Sequence, residues 1–87
     1  ELVPKADLVI AGPDSAVALQ YDDRRTSAPV VLAKGRGTTA ARIVDLARSS
    51  RVTVAEDATL AKELNERASV RRSIPAGYFR PVADLLA

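Results

Sequence analysis

Pro29-Val30-Val31-Leu32-Ala33-Lys34-Gly35-Arg36-Gly37-Thr38-Thr39-Ala40-Ala41-Arg42-Ile43-Val44-Asp45-Leu46-Ala47 is the stretch that decides the fold. Its first part is a short apolar run rich in β-branched residues. Such a run reads as a strand covered on both faces, and so as a central strand of its sheet. Lys34-Gly35-Arg36-Gly37 ends it. From Thr38 the period lengthens: Ala40, Ile43, Val44 and Ala47 fall at i, i+3, i+4 and i+7, the stripe of an amphipathic helix. Thr38 or Thr39 is the expected N-cap. Arg51-Val52-Thr53-Val54-Ala55 then returns to strand chemistry. Residues 29–55 therefore have the form of a right-handed parallel strand–helix–strand crossover.

Working outward, Ala6-Asp7-Leu8-Val9-Ile10 is an earlier apolar strand. It stops at Gly12-Pro13-Asp14-Ser15, strong turn chemistry. Ala16-Val17-Ala18-Leu19-Gln20-Tyr21 reads as a second strand with Val17, Leu19 and Tyr21 on one face. The first two strands are expected to pair tightly around Gly12-Pro13, and a charged loop, Asp22-Asp23-Arg24-Arg25, follows them. Towards the C-terminus, Asp57 or Thr59 opens a helix carrying Leu60, Ala61 and Leu64. Pro75 suits the first turn of a further short helix, and Pro81 the start of last turns that turn Val82, Leu85 and Leu86 inward. The expectation is one α/β domain over residues 1–87, a small four-stranded mixed sheet surrounded by helices in the order β-β-β-α-β-α-α.

With 87 residues there is room for one domain, not two. Hydrophobic residues make up 47% but aromatics only 3%, so Val, Leu, Ile and Ala must build the core. The chain has no Cys and no His, which excludes disulfides, thiolate chemistry, Cys/His zinc sites and His-based triads. No apolar stretch approaches the ~18–20 residues of a membrane span, and no signal-peptide pattern is seen. A soluble chain is expected, and its first residue, Glu rather than Met, is that expected of a piece of something longer.

Three groupings invite a chemical reading. Lys34-Gly35-Arg36-Gly37-Thr38-Thr39 before a helix has the look of a phosphate cradle, but the Gly-Lys-Ser/Thr order is missing, and an ordinary strand-to-helix loop accounts for it better. Arg24-Arg25, Arg48, Arg51 and Arg71-Arg72 could form a nucleic-acid face, yet the net charge is only +2 and no aromatic ladder accompanies them. The acidic pairs Asp22-Asp23 and Glu56-Asp57 read as a turn and a helix start rather than paired catalytic acids.

The chain resembles the C-terminal cytoplasmic domain of the FlhB/YscU family, the export-gate proteins of bacterial flagella and type III secretion injectisomes. The resemblance is carried by Val3-Pro4-Lys5-Ala6-Asp7-Leu8-Val9-Ile10, by Ala16-Val17-Ala18-Leu19-Gln20-Tyr21-Asp22, and by Ala28-Pro29-Val30-Val31-Leu32-Ala33-Lys34-Gly35. Ala41-Arg42-Ile43, Val54-Ala55-Glu56-Asp57, Leu60-Ala61-Lys62-Glu63-Leu64 and Ile74-Pro75 complete it, and it leans towards the flagellar branch. It implies a four-stranded sheet with helices, a parent protein with an N-terminal transmembrane part, and a place at the cytoplasmic face of the bacterial inner membrane. It implies a role in switching export from early to late substrates. Export substrates and other export-gate components are the implied partners of a domain that is monomeric in isolation, with no cofactor, metal or nucleic acid.

The resemblance also implies self-cleavage at an Asn-Pro-Thr-His motif between the first two strands, where the Asn side-chain amide attacks its own carbonyl. Here the chain departs from it. Ala11-Gly12-Pro13-Asp14-Ser15 is one residue shorter, with Gly12 where the Asn would be. Gly12 has no side chain, so no cleavage and no catalytic residue are expected, and a tight turn is expected instead, with Gly12 free to take a positive φ. The face around Gly12, Pro13, Asp14 and Ser15, with Ala28 and Pro29 nearby, is the expected partner-contact surface. Lys34 lies between two readings, an acidic partner's contact or a charge that ends the strand. The alternative function is a divergent basic module binding anions or RNA through Lys34-Gly35-Arg36-Gly37 and the arginine clusters.

Overall fold

The computed structural model describes residues 3–21 and 29–86, the side chain of Leu86 excepted. After a 3₁₀ turn at Val3–Lys5, the chain forms β1 (Leu8–Ala11), β2 (Ser15–Gln20), β3 (Val30–Arg36), α1 (Thr38–Ser49), β4 (Thr53–Glu56) and α2 (Ala58–Arg67). A second 3₁₀ turn, Ala76–Tyr78, leads into α3 (Phe79–Leu86). The element order is the expected one. The sheet order is β3-β2-β1-β4, with β1–β2 and β2–β3 antiparallel and β1–β4 parallel. No helix among the described residues is long and apolar enough to cross a membrane.

Two cores lie on the two faces of this sheet. On one face Leu8, Ile10, Val17, Leu19 and Val31 pack with Leu60, Ala61 and Leu64 of α2, Ala68, Ile74 and Val82. On the other, Val9, Ala16 and Ala18 pack with Ala40, Ile43 and Ala47 of α1 and with Val3 and Ala6. β1 and β2 are therefore buried on both sides. Each fully buried Val or Leu contributes about 1.5–3 kcal/mol, and these two strands hold five of the nine largest fully buried side chains. Tyr21, expected on the Val17 and Leu19 face, lies beyond the strand and is 47% exposed.

The structure corrects the reading of the third strand. β3 is an edge strand, and the crossover from β3 through α1 ends on β4 at the opposite edge, beside β1. Its apolarity on both faces reflects the helices above and below, which report nothing about lateral neighbours. Its first half is shielded sideways by residues 71–74: Arg71 N–H donates to Val31 O (2.6 Å), Val31 N–H to Arg72 O (3.0 Å) and Ile74 N–H to Pro29 O (3.0 Å). β3 also carries a bulge. Ala18 pairs with Ala33 but Leu19 pairs with Val31, so Leu32 is an extra residue. A bulge reverses the alternation beyond it. Val31 faces α2, Leu32 and Ala33 face the α1 side, and Lys34 returns to the α2 side.

Helix ends differ in part from expectation. Asp57 is the N-cap of α2, its carboxylate accepting from Leu60 N–H at 3.0 Å, as the sequence predicts. At α1 the cap is Gly37, not Thr38 or Thr39. Its φ of 58° with ψ of −126° lies where essentially only glycine goes, and no side chain caps the helix. Pro75 precedes the 3₁₀ turn as its N-cap, and α3 starts at Phe79, placing Pro81 in its first turn, where the missing N–H costs no bond. α1 closes with Arg51 N–H on Arg48 O (3.3 Å) and Val52 N–H on Ala47 O (2.8 Å), the two bonds of a Schellman motif. The left-handed position of that motif holds Arg51 at φ 61°.

A Cβ at a left-handed position costs roughly 1–2 kcal/mol. Arg51→Gly is therefore expected to stabilise the domain by about 1 kcal/mol, read as a higher urea midpoint with an unchanged slope. A lower midpoint would mean that the Arg51 side chain contributes more than its backbone strain costs.

Candidate functional site

The β1–β2 loop, Gly12-Pro13-Asp14-Ser15, sits where both helices on either face of the sheet begin. Gly12 N–H donates to Ser15 O at 2.8 Å and closes the turn. Gly37 N–H, at the head of α1, donates to Asp14 O at 3.0 Å, and Asp57 N–H, at the head of α2, donates to Ala11 O at 3.0 Å. Pro13 and Asp14 are exposed, Gly12 is half-buried and Ser15 is buried.

Gly12 does not use a positive φ, contrary to expectation; among the described glycines only Gly37 does. Gly12 matters for proximity instead. A Cβ built on it would lie 3.0 Å from the Ala58 Cα, inside normal packing distance of α2's first residue. The expected nearness of Pro29 is also overturned. The β2–β3 register pairs Ser15 with Arg36 and Gln20 with Val30, so Pro29 lies at the other end of the sheet from the loop. Pro29 is buried there, and Ala28 falls outside the described residues. Asp22-Asp23 and Arg24-Arg25 fall outside them as well.

Beside the loop is a cleft of about 400 Å³ bounded by Gly12, Pro13, Gly37, Ala41, Val44 and Arg48. Its floor is small and apolar, and Asp45 and Arg48 of α1 bring an acid and a base to its rim. The catalytic inventory of the loop is thin: a glycine, a proline, an exposed carboxylate and a buried hydroxyl. Among the described residues no group of His, Cys, Asp and Glu is arranged to hold a metal ion.

Lys34-Gly35-Arg36-Gly37 is accounted for residue by residue. The Lys34 ammonium donates to Asn65 O (2.9 Å) and Ala68 O (2.6 Å), the carboxyl end of α2. It thus neutralises orphan carbonyls and the negative end of the helix dipole. Gly35 lets α1 approach; a Cβ there would lie 2.2 Å from Thr39 Cγ2. Arg36 pairs with Glu66 at 3.1 Å on the surface, and Gly37 makes the turn into α1. The lysine of the supposed cradle points to the opposite face of the sheet from α1, so no phosphate cradle forms. Asn65, which the sequence reading passed over, donates from Nδ2 to Ala16 O (3.1 Å) and Gly35 O (2.8 Å), tying α2 to β2 and β3. Nothing local marks it, since a polar residue inside a helix normally faces water.

Tyr78 is the other missed residue. Its hydroxyl donates to Glu63 Oε1 at 2.8 Å, joining the turn before α3 to α2. That bond to a carboxylate, together with burial, raises the phenol above its usual 10.0.

A family model described as the FlhB HrpN YscU SpaS Family matches residues 1–87. The flagellar biosynthetic protein FlhB of Salmonella typhimurium is 42% identical over 88 residues, covering 100% of this chain and 23% of that protein. The FlhB of Yersinia enterocolitica is 43% identical over 86 residues, covering 98% and 22%. The crystal structure of the cytoplasmic domain of FlhB from Shewanella putrefaciens has the same fold, with a TM-score of 0.91 at 34% identity, covering 98% of this chain and 66% of that one. The chain spans about a quarter of the length of the curated relatives it matches.

Two outcomes follow from the geometry. Lys34→Met keeps the aliphatic stem but loses both charge-assisted bonds, and is expected to destabilise the domain by about 1.5 kcal/mol in urea unfolding; a change under about 0.5 kcal/mol would mean that water replaces the ammonium at no loss. Because folding raises the Tyr78 pKa, the neutral phenol is the favoured form in the fold. Its contribution is whole below the unfolded value of 10.0 and is lost as pH rises through the folded one. Tyr78→Phe should remove that part of the alkaline loss of stability, read by comparing unfolding midpoints at neutral and strongly alkaline pH.

Proposed function

The chain belongs to the FlhB HrpN YscU SpaS family, and on that premise we propose that it is the cytoplasmic domain of a component of a bacterial flagellar or type III protein export apparatus. The carrying observation is the match over residues 1–87, joined to the fold shared with a named FlhB cytoplasmic domain at a TM-score of 0.91. On this reading the domain works at the cytoplasmic face of the inner membrane. It engages export substrates and other export components through its surface and takes part in choosing which class of substrate passes.

The domain does not cleave itself. Cyclisation at the turn needs a side-chain nitrogen on the residue before Pro13, and Gly12 has none. Two other routes are chemically conceivable. Asp14 would have to cyclise onto the Ser15 amide, or the Ser15 hydroxyl would have to attack the Asp14 carbonyl with a base to take its proton. The chain has no His to serve as that base, and Ser15 is 7% exposed, away from water. A domain of this kind keeps one covalent state, so any change of export class must be driven by another component.

Intact mass under denaturing conditions tests the covalent claim. After days at neutral pH one species at the full 9.2 kDa is expected. Two fragments summing to that mass would overturn it, and their masses would name the residue beside the break. The export reading is tested by titrating the domain with an early export substrate and, separately, with RNA over a range of salt. Saturable substrate binding is expected; RNA binding that falls steeply with salt, without substrate binding, would favour a basic nucleic-acid module instead.

A further inference from the structure

The two edges of the sheet are treated differently. β3 is shielded by residues 71–74 through three main-chain hydrogen bonds. The outer side of β4 has no main-chain partner among the described residues. The phase of the ladder identifies the free groups. Asp57 N–H points at Ala11 O on β1, and residues two apart along a strand bond to the same side. Thr53 and Ala55 therefore face β1, and the main-chain N–H and C=O groups of Val54 and Glu56 point outward.

This edge has few of the usual defences. Thr53-Val54-Ala55-Glu56 contains no Lys, Pro or Gly, and its pairing with β1 runs without a bulge. Its shortness and the charge of Glu56 are its protections, and a short edge suits transient docking. The surroundings specify what fits. Val54, beside half-buried Val52 and Leu46, faces the α1 side, which is apolar. Ala55 faces the α2 side, where Asp57 and Glu63 line a cleft of about 290 Å³ with Leu60, Tyr78 and Pro81. Asp57 and Glu63 are both acids, and no cation among the described residues lies within ion-pairing distance of them, while Glu56, two residues beyond Val54, stands on the α1 side of the strand.

We propose that the outer edge of β4 takes up an extended, basic segment of a partner protein as a fifth strand. Main-chain bonds to Val54 and Glu56 hold it, apolar side chains pack on the α1 side, and Lys or Arg side chains meet the carboxylates on the α2 side. The pattern of the partner is thus alternating apolar and basic.

A short end-blocked peptide of alternating valine and lysine is the probe, titrated against the 87-residue chain and followed by amide hydrogen exchange. Saturable binding with slowed exchange at Val54 and Glu56 is expected. The same peptide methylated on alternate backbone nitrogens keeps its charge but loses its donors, and should bind about tenfold more weakly or worse. A valine–glutamate peptide should not bind. Val54→Pro removes an outward N–H without touching the β1 ladder, and should abolish binding while circular dichroism stays unchanged. Equal binding of the methylated or the glutamate peptide would overturn the proposal. So would self-association of the chain alone with slowed exchange at Val54 and Glu56, since the occupant would then be a second copy.

Discussion

One ammonium group holds the far end of α2 against the sheet, and much else follows from where it sits. Lys34 reaches the last carbonyls of α2 only because the extra residue Leu32 reverses the alternation of β3. With regular pairing, Lys34 would face α1 and Gly35 would face α2. The bulge thus places the charged stem under one helix and the missing side chain under the other. Gly35 then lets Thr39 and the head of α1 come close, while Asn65 bonds the same stretch of β2 and β3 from the α2 side. The close approach of both helices to one end of β3 therefore depends on a single inserted residue. The surface pair of Arg36 and Glu66 beside it contributes little, because both side chains are about half exposed and screened by water.

What was legible in the sequence was what depends on near neighbours. The period of Ala40, Ile43 and Ala47 marks α1, and Asp57 three residues before Leu60 marks the start of α2. Gly12-Pro13 marks the first turn. What was not legible depends on contacts between distant segments. β3 is apolar on both faces because helices cover them, and that pattern is silent about whether a strand or a loop lies alongside. Threonine is the better cap by preference, yet the turn into α1 needs a backbone angle that a side chain forbids, so Gly37 takes the position. Arg51 and Arg71 occupy left-handed positions without the glycine that normally announces them.

At the loop the difference is one of cause rather than place. Glycine at position 12 suggests conformational freedom, but its φ is ordinary and its neighbour is the backbone of Ala58. Lys34 is similar: a basic residue at the end of a strand looks like a charge offered to solvent or to a partner, and its proton donors turn out to satisfy a helix terminus. The family resemblance was visible in the residues along the whole chain. The match over residues 1–87 and the shared fold bear it out.

The β1–β2 loop, with Ala11 at the end of β1, touches the head of α1 through Asp14 and the head of α2 through Ala11 and Gly12, and those helices lie on opposite sides of the sheet. It acts as a shared hinge pin. Lengthening or displacing it by one residue cannot be absorbed on one face alone, because the same few atoms set the height at which both helices begin. The two outer layers of the domain therefore share one anchoring point at this end of the sheet.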